Sequence, residues 1–163
     1  MKRDIRFFCI CIFSALLGVL LSNGKFTIAA TFNATECYMF DTKILLKIFI
    51  NNLLVSFFIS LGGYLTCGIL SIVIIFWNGF LIGCLIDTIP ASSENPFSLF
   101  VFHGVFEFFA FCFSGIVGMY GIDFYRNIFS NNCLEFNMNV RYQCISVVLL
   151  FIASIVETFL ISL

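Results

Sequence analysis

Five apolar stretches, each near the length needed to cross a bilayer, recur along this chain with little charge inside any of them. Spanning the hydrocarbon core takes about 20 mostly apolar residues as a helix. Lipid supplies no partners for open backbone groups, so the runs must close their own hydrogen bonds. Composition agrees: hydrophobic residues make up 61% and charged residues 10% of 163 positions, with 24 phenylalanines. Ordinary globular domains have roughly 45–50% and about 25%. A soluble core of this size could not hide the excess. Two prolines leave long helices unbroken. The expectation is an all-α integral membrane protein, about five transmembrane helices in one bundle, forming a single membrane domain over 1–163.

The expected spans run from Phe7 to Ser22, Ile44 to Leu61, Leu65 to Ile86, Phe97 to Tyr120 and Cys144 to Leu163. Gly62-Gly63 reads as a tight turn between the second and third. The connections are a polar loop from Asn23 to Lys43, a short one from Asp87 to Pro96 and a longer one from Gly121 to Gln143. Within the last, Asn127 to Asn139 reads as loop, with room for a short interfacial helix. The first span also has the look of a secretory signal, with a basic start and Ile28-Ala29-Ala30 as a cleavage site. The long polar gap before Ile28 favours an uncleaved helix. Asn33-Ala34-Thr35 fits a glycosylation sequon, a pattern short enough to arise by chance.

Orientation follows from where Lys and Arg fall. With the N-terminus inside, the inner segments carry Lys2, Arg3, Arg6, Arg126 and Arg141. The outside carries Lys25 and Lys43, with Lys47 just within the second span. A multi-pass protein of the cell membrane follows, N-terminus cytoplasmic and C-terminus outside, with 23–43 an outer loop and 121–143 an inner one. The net charge of −1 and the lack of a basic stripe exclude nucleic acid as a partner.

Eight cysteines do not make a disulfide scaffold here. Cys9, Cys11, Cys67, Cys84 and Cys112 sit inside apolar runs, and Cys144 begins another. There is no C-x-x-C pair and no Cys/His cluster with zinc spacing. They read as buried thiols acting as small hydrophobes. Cys37, in the polar loop, is the one to probe for reactivity. No metal or other cofactor is expected.

Functional clues in such a chain are the polar residues that hydrophobicity should have excluded. A charge at mid-bilayer costs at least ~2.5–3.5 kcal/mol on insertion scales and usually faces the bundle interior or water. Asn51-Asn52 lies within the second span. Adjacent helical residues point about 100° apart, so the two amides cannot serve one partner. They read as packing glue to two neighbouring helices, or as part of a conduction or substrate path. In Trp77-Asn78-Gly79, followed by Gly83, the two glycines form a GxxxG pair that lets helix backbones approach closely. Whether the partner is internal or another subunit stays open. His103 and Glu107 are four apart and share one helix face. They can pair structurally, relay a proton or bind a ligand. Zinc hydrolysis needs three protein ligands and a base, and this chain has one histidine. There is no G-x-S-x-G either, so catalysis is not expected. Ala110, Ser114 and Gly118 make a small-residue stripe for packing. Glu157, in the last span, either reaches the interface or pairs with Lys47 or His103.

The order of these signals resembles the stage II sporulation protein M family. The matching stretches are Ile50-Asn51-Asn52 with Gly62-Gly63, then Trp77-Asn78-Gly79-Phe80-Leu81-Ile82-Gly83. They continue with His103-Gly104-Val105-Phe106-Glu107 and Ser114-Gly115-Ile116-Val117-Gly118, and end with Val156-Glu157. The resemblance implies a non-enzymatic polytopic protein. In spore formers the named member looks like a scaffold for cell-wall hydrolases during engulfment of the forespore. Other relatives occur without sporulation, some beside transporter genes, so the family fixes the fold better than the role.

Three functions are therefore carried forward. The first is a scaffold positioning peptidoglycan hydrolases through the loop from Asn23 to Lys43. The second is an accessory subunit of an ABC-type export or antimicrobial-peptide immunity system, which the short, Phe-rich form fits. The third is a small transporter or channel using Asn51, Asn52, His103, Glu107 and Glu157, which would need a homo-oligomer because five helices are few. Membrane lipid is a partner under each.

Overall fold

The computed structural model describes residues 2–22, 42–88, 96–130 and 140–161, and among these all side chains except those of 2, 85–88, 96–103, 160 and 161. The loop from Asn23 to Lys43 up to position 41, with its sequon, Cys37 and Ile28-Ala29-Ala30, lies outside the described residues. So do 89–95 and 131–139. What is described is helical: α1 (Lys2–Ser22), α2 (Thr42–Phe57), a π-helical segment (Phe58–Gly62), α3 (Gly63–Leu65), α4 (Ile69–Thr88), α5 (Pro96–Met119), α6 (Gly121–Phe129) and α7 (Val140–Ile161).

Four rods are long and apolar enough to cross a membrane: Arg3–Ser22, Thr42–Leu65, Gly104–Phe129 and Val140–Phe159. Twenty residues of helix rise about 30 Å, the thickness of the hydrocarbon core. Helix α4, with 20 residues, is the fifth rod, and its described apolar part is Ile69–Cys84. Large apolar side chains face outward along the rods, among them Phe13 at 68% exposure, Ile69 at 66% and Leu20 at 65%. Such a surface at this density belongs against lipid or other protein within the membrane, not against water. The chain is an all-α membrane bundle.

Helix α5 is its axis. It packs against α1, α2, α4 and α7, and nearly every residue from Ala110 to Gly121 is buried. Contacts also fix the directions. Ser14 meets Ile72 and Ser22 meets Gly83, so α1 and α4 run parallel. Ser56 meets Ser114 while Gly63 meets Gly118, so α2 and α5 run parallel. Phe49 meets Phe151 and Ser56 meets Ser146, so α7 opposes α2. The five rods thus alternate, and the first and last begin at the same end.

Gly62-Gly63 does not turn the chain. Both residues are right-handed helical, at φ −63° and −62°, and the rod runs on to Leu65. Their bareness serves proximity instead: a Cβ on Gly63 would lie 3.0 Å from the Cα of Gly118. The Ile59 carbonyl accepts the Gly63 N–H and, on its second lone pair, the buried Ser71 hydroxyl at 2.7 Å. That gives the Ser71 hydroxyl a partner that lipid could not.

The turn comes at Thr66-Cys67-Gly68. Gly68 N–H donates to the Gly63 carbonyl at 2.7 Å, the long bond of a Schellman stop. The Thr66 hydroxyl donates to the Gly62 carbonyl at 2.8 Å and accepts the Leu70 N–H at 3.0 Å, joining the end of α3 to the start of α4. Cys67 takes φ +53°, where an L side chain is strained, and glycine usually holds this position. Cys67→Gly is expected to stabilise the protein by about 1 kcal/mol. The midpoint of a sodium dodecyl sulfate titration in mild micelles reads this directly; an unmoved or lowered midpoint would refute it.

Helix α6 occupies the loop expected from Gly121 to Gln143, starting earlier than the asparagine-rich stretch proposed for an interfacial helix. Tyr120 turns the chain out of α5 without breaking the right-handed backbone, at φ −62°. Gly121 allows this because a Cβ there would sit 2.7 Å from the carbonyl carbon of Tyr64.

Candidate functional site

Polar side chains inside hydrocarbon have no water to bond, so they must find one another or their own backbone. Three helices bring theirs together. Helix α2 carries Asn52 and Ser56 one turn apart, α5 carries Glu107 and Ser114 two turns apart, and α7 carries Gln143 and Ser146 at i, i+3. The directions found above align these pairs into a seam.

At one level the Asn52 amide donates from Nδ2 to Glu107 Oε1. At the next, three hydroxyls close a triangle. Ser56 and Ser114 lie 2.6 Å apart, Ser114 and Ser146 2.8 Å, and Ser56 and Ser146 3.1 Å. All three serines are 0% exposed. Each hydroxyl can donate once and accept more than once, so three of them satisfy one another in a ring. Gln143 Nε2 donates to Ser56 at 3.2 Å. Interhelical bonds between neutral groups, as among these serines, contribute about 0.6 kcal/mol each. Their effect is less strength than register, since a one-residue slip of any helix breaks every pair that helix makes.

A second polar group caps the end where α1 begins. Arg3 Nη1 meets Asp123 Oδ2 at 2.7 Å, and its guanidinium lies 4.7 Å from the centroid of the Tyr120 ring. Tyr120 donates its hydroxyl to Asp4 at 2.6 Å, and Tyr125 donates to the Leu65 carbonyl at 2.9 Å. These bonds hold α6 against the ends of α1 and α3. Arg3 is 45% exposed, so the ion pair itself adds at most about 1 kcal/mol. Between seam and cap lies an open groove of 230 Å³, lined by Phe57, Ser60, Leu61, Val117, Val140 and Gln143.

The residues singled out in the sequence divide. Asn52 and Glu107 meet. Asn51, next along, is exposed on the outer face of α2. Asn78 bends back to its own helix, donating to the Ile74 carbonyl at 2.8 Å. Glu157 is half-buried on α7. Lys47 is exposed and has no ion-pair partner among the described residues. His103 belongs to the α5 backbone, and its side chain lies outside the described ones. Gly104 beside it has nothing within 4 Å of where a Cβ would be. Ser114 does more than pack, because its hydroxyl is a corner of the triangle. Gly118 packs as expected, against Gly63 and the Ile59 carbonyl.

The GxxxG pair has an internal partner. A Cβ on Gly79 would lie 2.9 Å from the Cα of Ala15, and one on Gly83 would lie 2.9 Å from the Val19 carbonyl oxygen. On the other side, a Cβ on Gly18 would lie 2.8 Å from the Phe80 nitrogen. Helices α1 and α4 are therefore joined backbone to backbone.

Ser56, Gln143 and Ser146 were not legible as site residues. Serine is too near neutral in hydropathy to stand out in an apolar run. The available signal was spacing: Ser56 lies one turn from Asn52 on the same face, and Ser146 lies three residues beyond Gln143. Among the described residues, no group of three or more His, Cys, Asp or Glu could hold a metal ion.

The family described as Stage II sporulation protein M matches residues 6–161, nearly the whole chain. The chain belongs to that family of membrane proteins. No curated protein and no solved structure shows significant similarity to it.

Proposed function

We propose that this member of the stage II sporulation protein M family is a non-enzymatic scaffold that positions cell-wall-remodelling enzymes at the cell membrane, its N-terminus cytoplasmic and its C-terminus outside. One observation carries the reading. Polar groups on the facing sides of α2, α5 and α7 bond to one another, Asn52 to Glu107 and Ser56 to Ser114 and Ser146. Groups so engaged hold helices in register, which is what a rigid platform needs. A translocation path would need them turned to a cavity. Recruitment then falls to the surface outside the bilayer, with the loop from Asn23 to Lys43 as its outer contact. Helix α1, joined to α4 through Gly18, Gly79 and Gly83, is retained in the mature protein under this reading rather than cleaved.

The test is purification of the tagged full chain from native membranes in mild detergent, with co-purifying proteins identified by mass spectrometry. Peptidoglycan hydrolases are the expected partners, and Glu107→Gln at unchanged abundance is expected to keep them. An ATP-driven transporter among the partners, or loss of the hydrolases in Glu107→Gln without loss of protein, would overturn the scaffold. The first of those outcomes would put the export or immunity role in its place.

A further inference from the structure

The seam accounts for Asn52 and leaves its neighbour behind. Asn51 lies nine residues past Thr42, about 14 Å along the rod by helical rise. The rod is 24 residues long, so this is well inside the hydrocarbon. Its side chain is exposed on the outer face, and among the described residues it has no hydrogen-bond partner. Around it on that face lie Ile50, Leu54 and Phe58, 52%, 52% and 59% exposed. The rod is also the least buried of the four long spans. Acyl chains offer neither donor nor acceptor, and asparagine is too short to reach the headgroups from this depth.

A carboxamide carries one acceptor and one donor group, so two of them are mutually complementary. Copies of one chain enter the membrane the same way up. When two meet about a two-fold axis along the bilayer normal, each residue near the axis faces its own counterpart at the same depth. The partner that Asn51 lacks is therefore supplied by Asn51 of a second copy. Lys47, one turn toward the helix start on the same face, has a stem long enough to carry its ammonium to the interface. It need not oppose the contact.

We infer that the chain forms a two-fold dimer through the outer face of α2, with the Asn51 amides paired across the axis and Leu54 and Phe58 packed beside them. The internal use of Gly79 and Gly83 strengthens the assignment, because the GxxxG pair is already covered by α1. Self-association must use another face.

Förster transfer between full-length copies carrying donor or acceptor fluorescent proteins, in phosphatidylcholine vesicles diluted with lipid, measures the association. Transfer above random proximity is expected for the natural chain. Asn51→Leu should weaken association on the order of tenfold, whereas Asn51→Gln, which keeps donor and acceptor, should stay within about twofold. Leu54→Trp on the same stripe should weaken it too, and Leu20→Trp on the outer face of α1 should not. Circular dichroism of each variant confirms equal helicity. Random-level transfer in the natural chain, or transfer unaltered by both Asn51→Leu and Leu54→Trp, overturns the dimer. A monomeric chain would leave the scaffold reading standing, since one copy suffices for recruitment.

Discussion

Gly79→Leu is expected to destabilise the protein by about 3 kcal/mol, the upper part of the range for forcing volume into a packed interior. The magnitude follows from what the new side chain meets. Most overpacked sites yield because a neighbouring side chain rotates away. Here the neighbours are the backbone of α1, with a Cβ 2.9 Å from the Cα of Ala15, and backbone cannot rotate aside. The two helices must separate, which also parts Ser14 from the Ile72 carbonyl it bonds at 3.0 Å. Gly104→Ala is the control. It adds a methyl where nothing lies within 4 Å and should stabilise by up to about 1 kcal/mol through helix propensity. Sodium dodecyl sulfate titrations in mild micelles compare the two. Equal midpoints would mean that α1 and α4 do not meet as described.

Asn52→Leu is expected to cost about 2 kcal/mol, the scale for a hydrogen bond to an ionisable group. It removes a donor from Glu107 at a depth where water cannot replace it. Glu107→Gln should cost under about 1 kcal/mol, because a carboxamide oxygen still accepts from Asn52. The double change Asn52→Leu with Glu107→Leu is expected to recover part of the loss, since it removes both halves of this hydrogen bond and buries no unpaired carboxylate. A double-mutant cycle on unfolding midpoints isolates the coupling. Additive effects would show that the two side chains do not act on each other.

The predicted boundaries show where reading the chain succeeds. Each of the five expected spans begins or ends within a few residues of a helix found, because a run of apolar residues is a one-dimensional property. The Gly62-Gly63 turn failed for a physical reason. Glycine permits both a turn and a close approach, and only the presence of Gly118 across the gap selects the second. The chain stops instead at Thr66-Cys67-Gly68, where the strained residue is a cysteine that no turn pattern flags.

The same limit governs the candidate site. Asn52 and Glu107 were visible because charge and amide are rare in lipid-spanning helices. That they meet was not visible, nor that Asn51 turns away. In a soluble helix the polar face marks the outside. A membrane helix is apolar on both its lipid side and its protein side, so the pattern does not say which face is inward. Neighbours 100° apart on such a helix are equivalent until the other helices are in place.

What the sequence determined by itself was a membrane protein of five alternating helices, since hydrocarbon admits little else from such runs, and its family. What only the tertiary structure decided was the partner of each small or polar residue. Gly79 and Gly83 serve α1, Gly63 serves Gly118, and three near-neutral serines from distant positions close a ring. Those choices depend on distances between helices, which hydrophobicity along one chain does not encode.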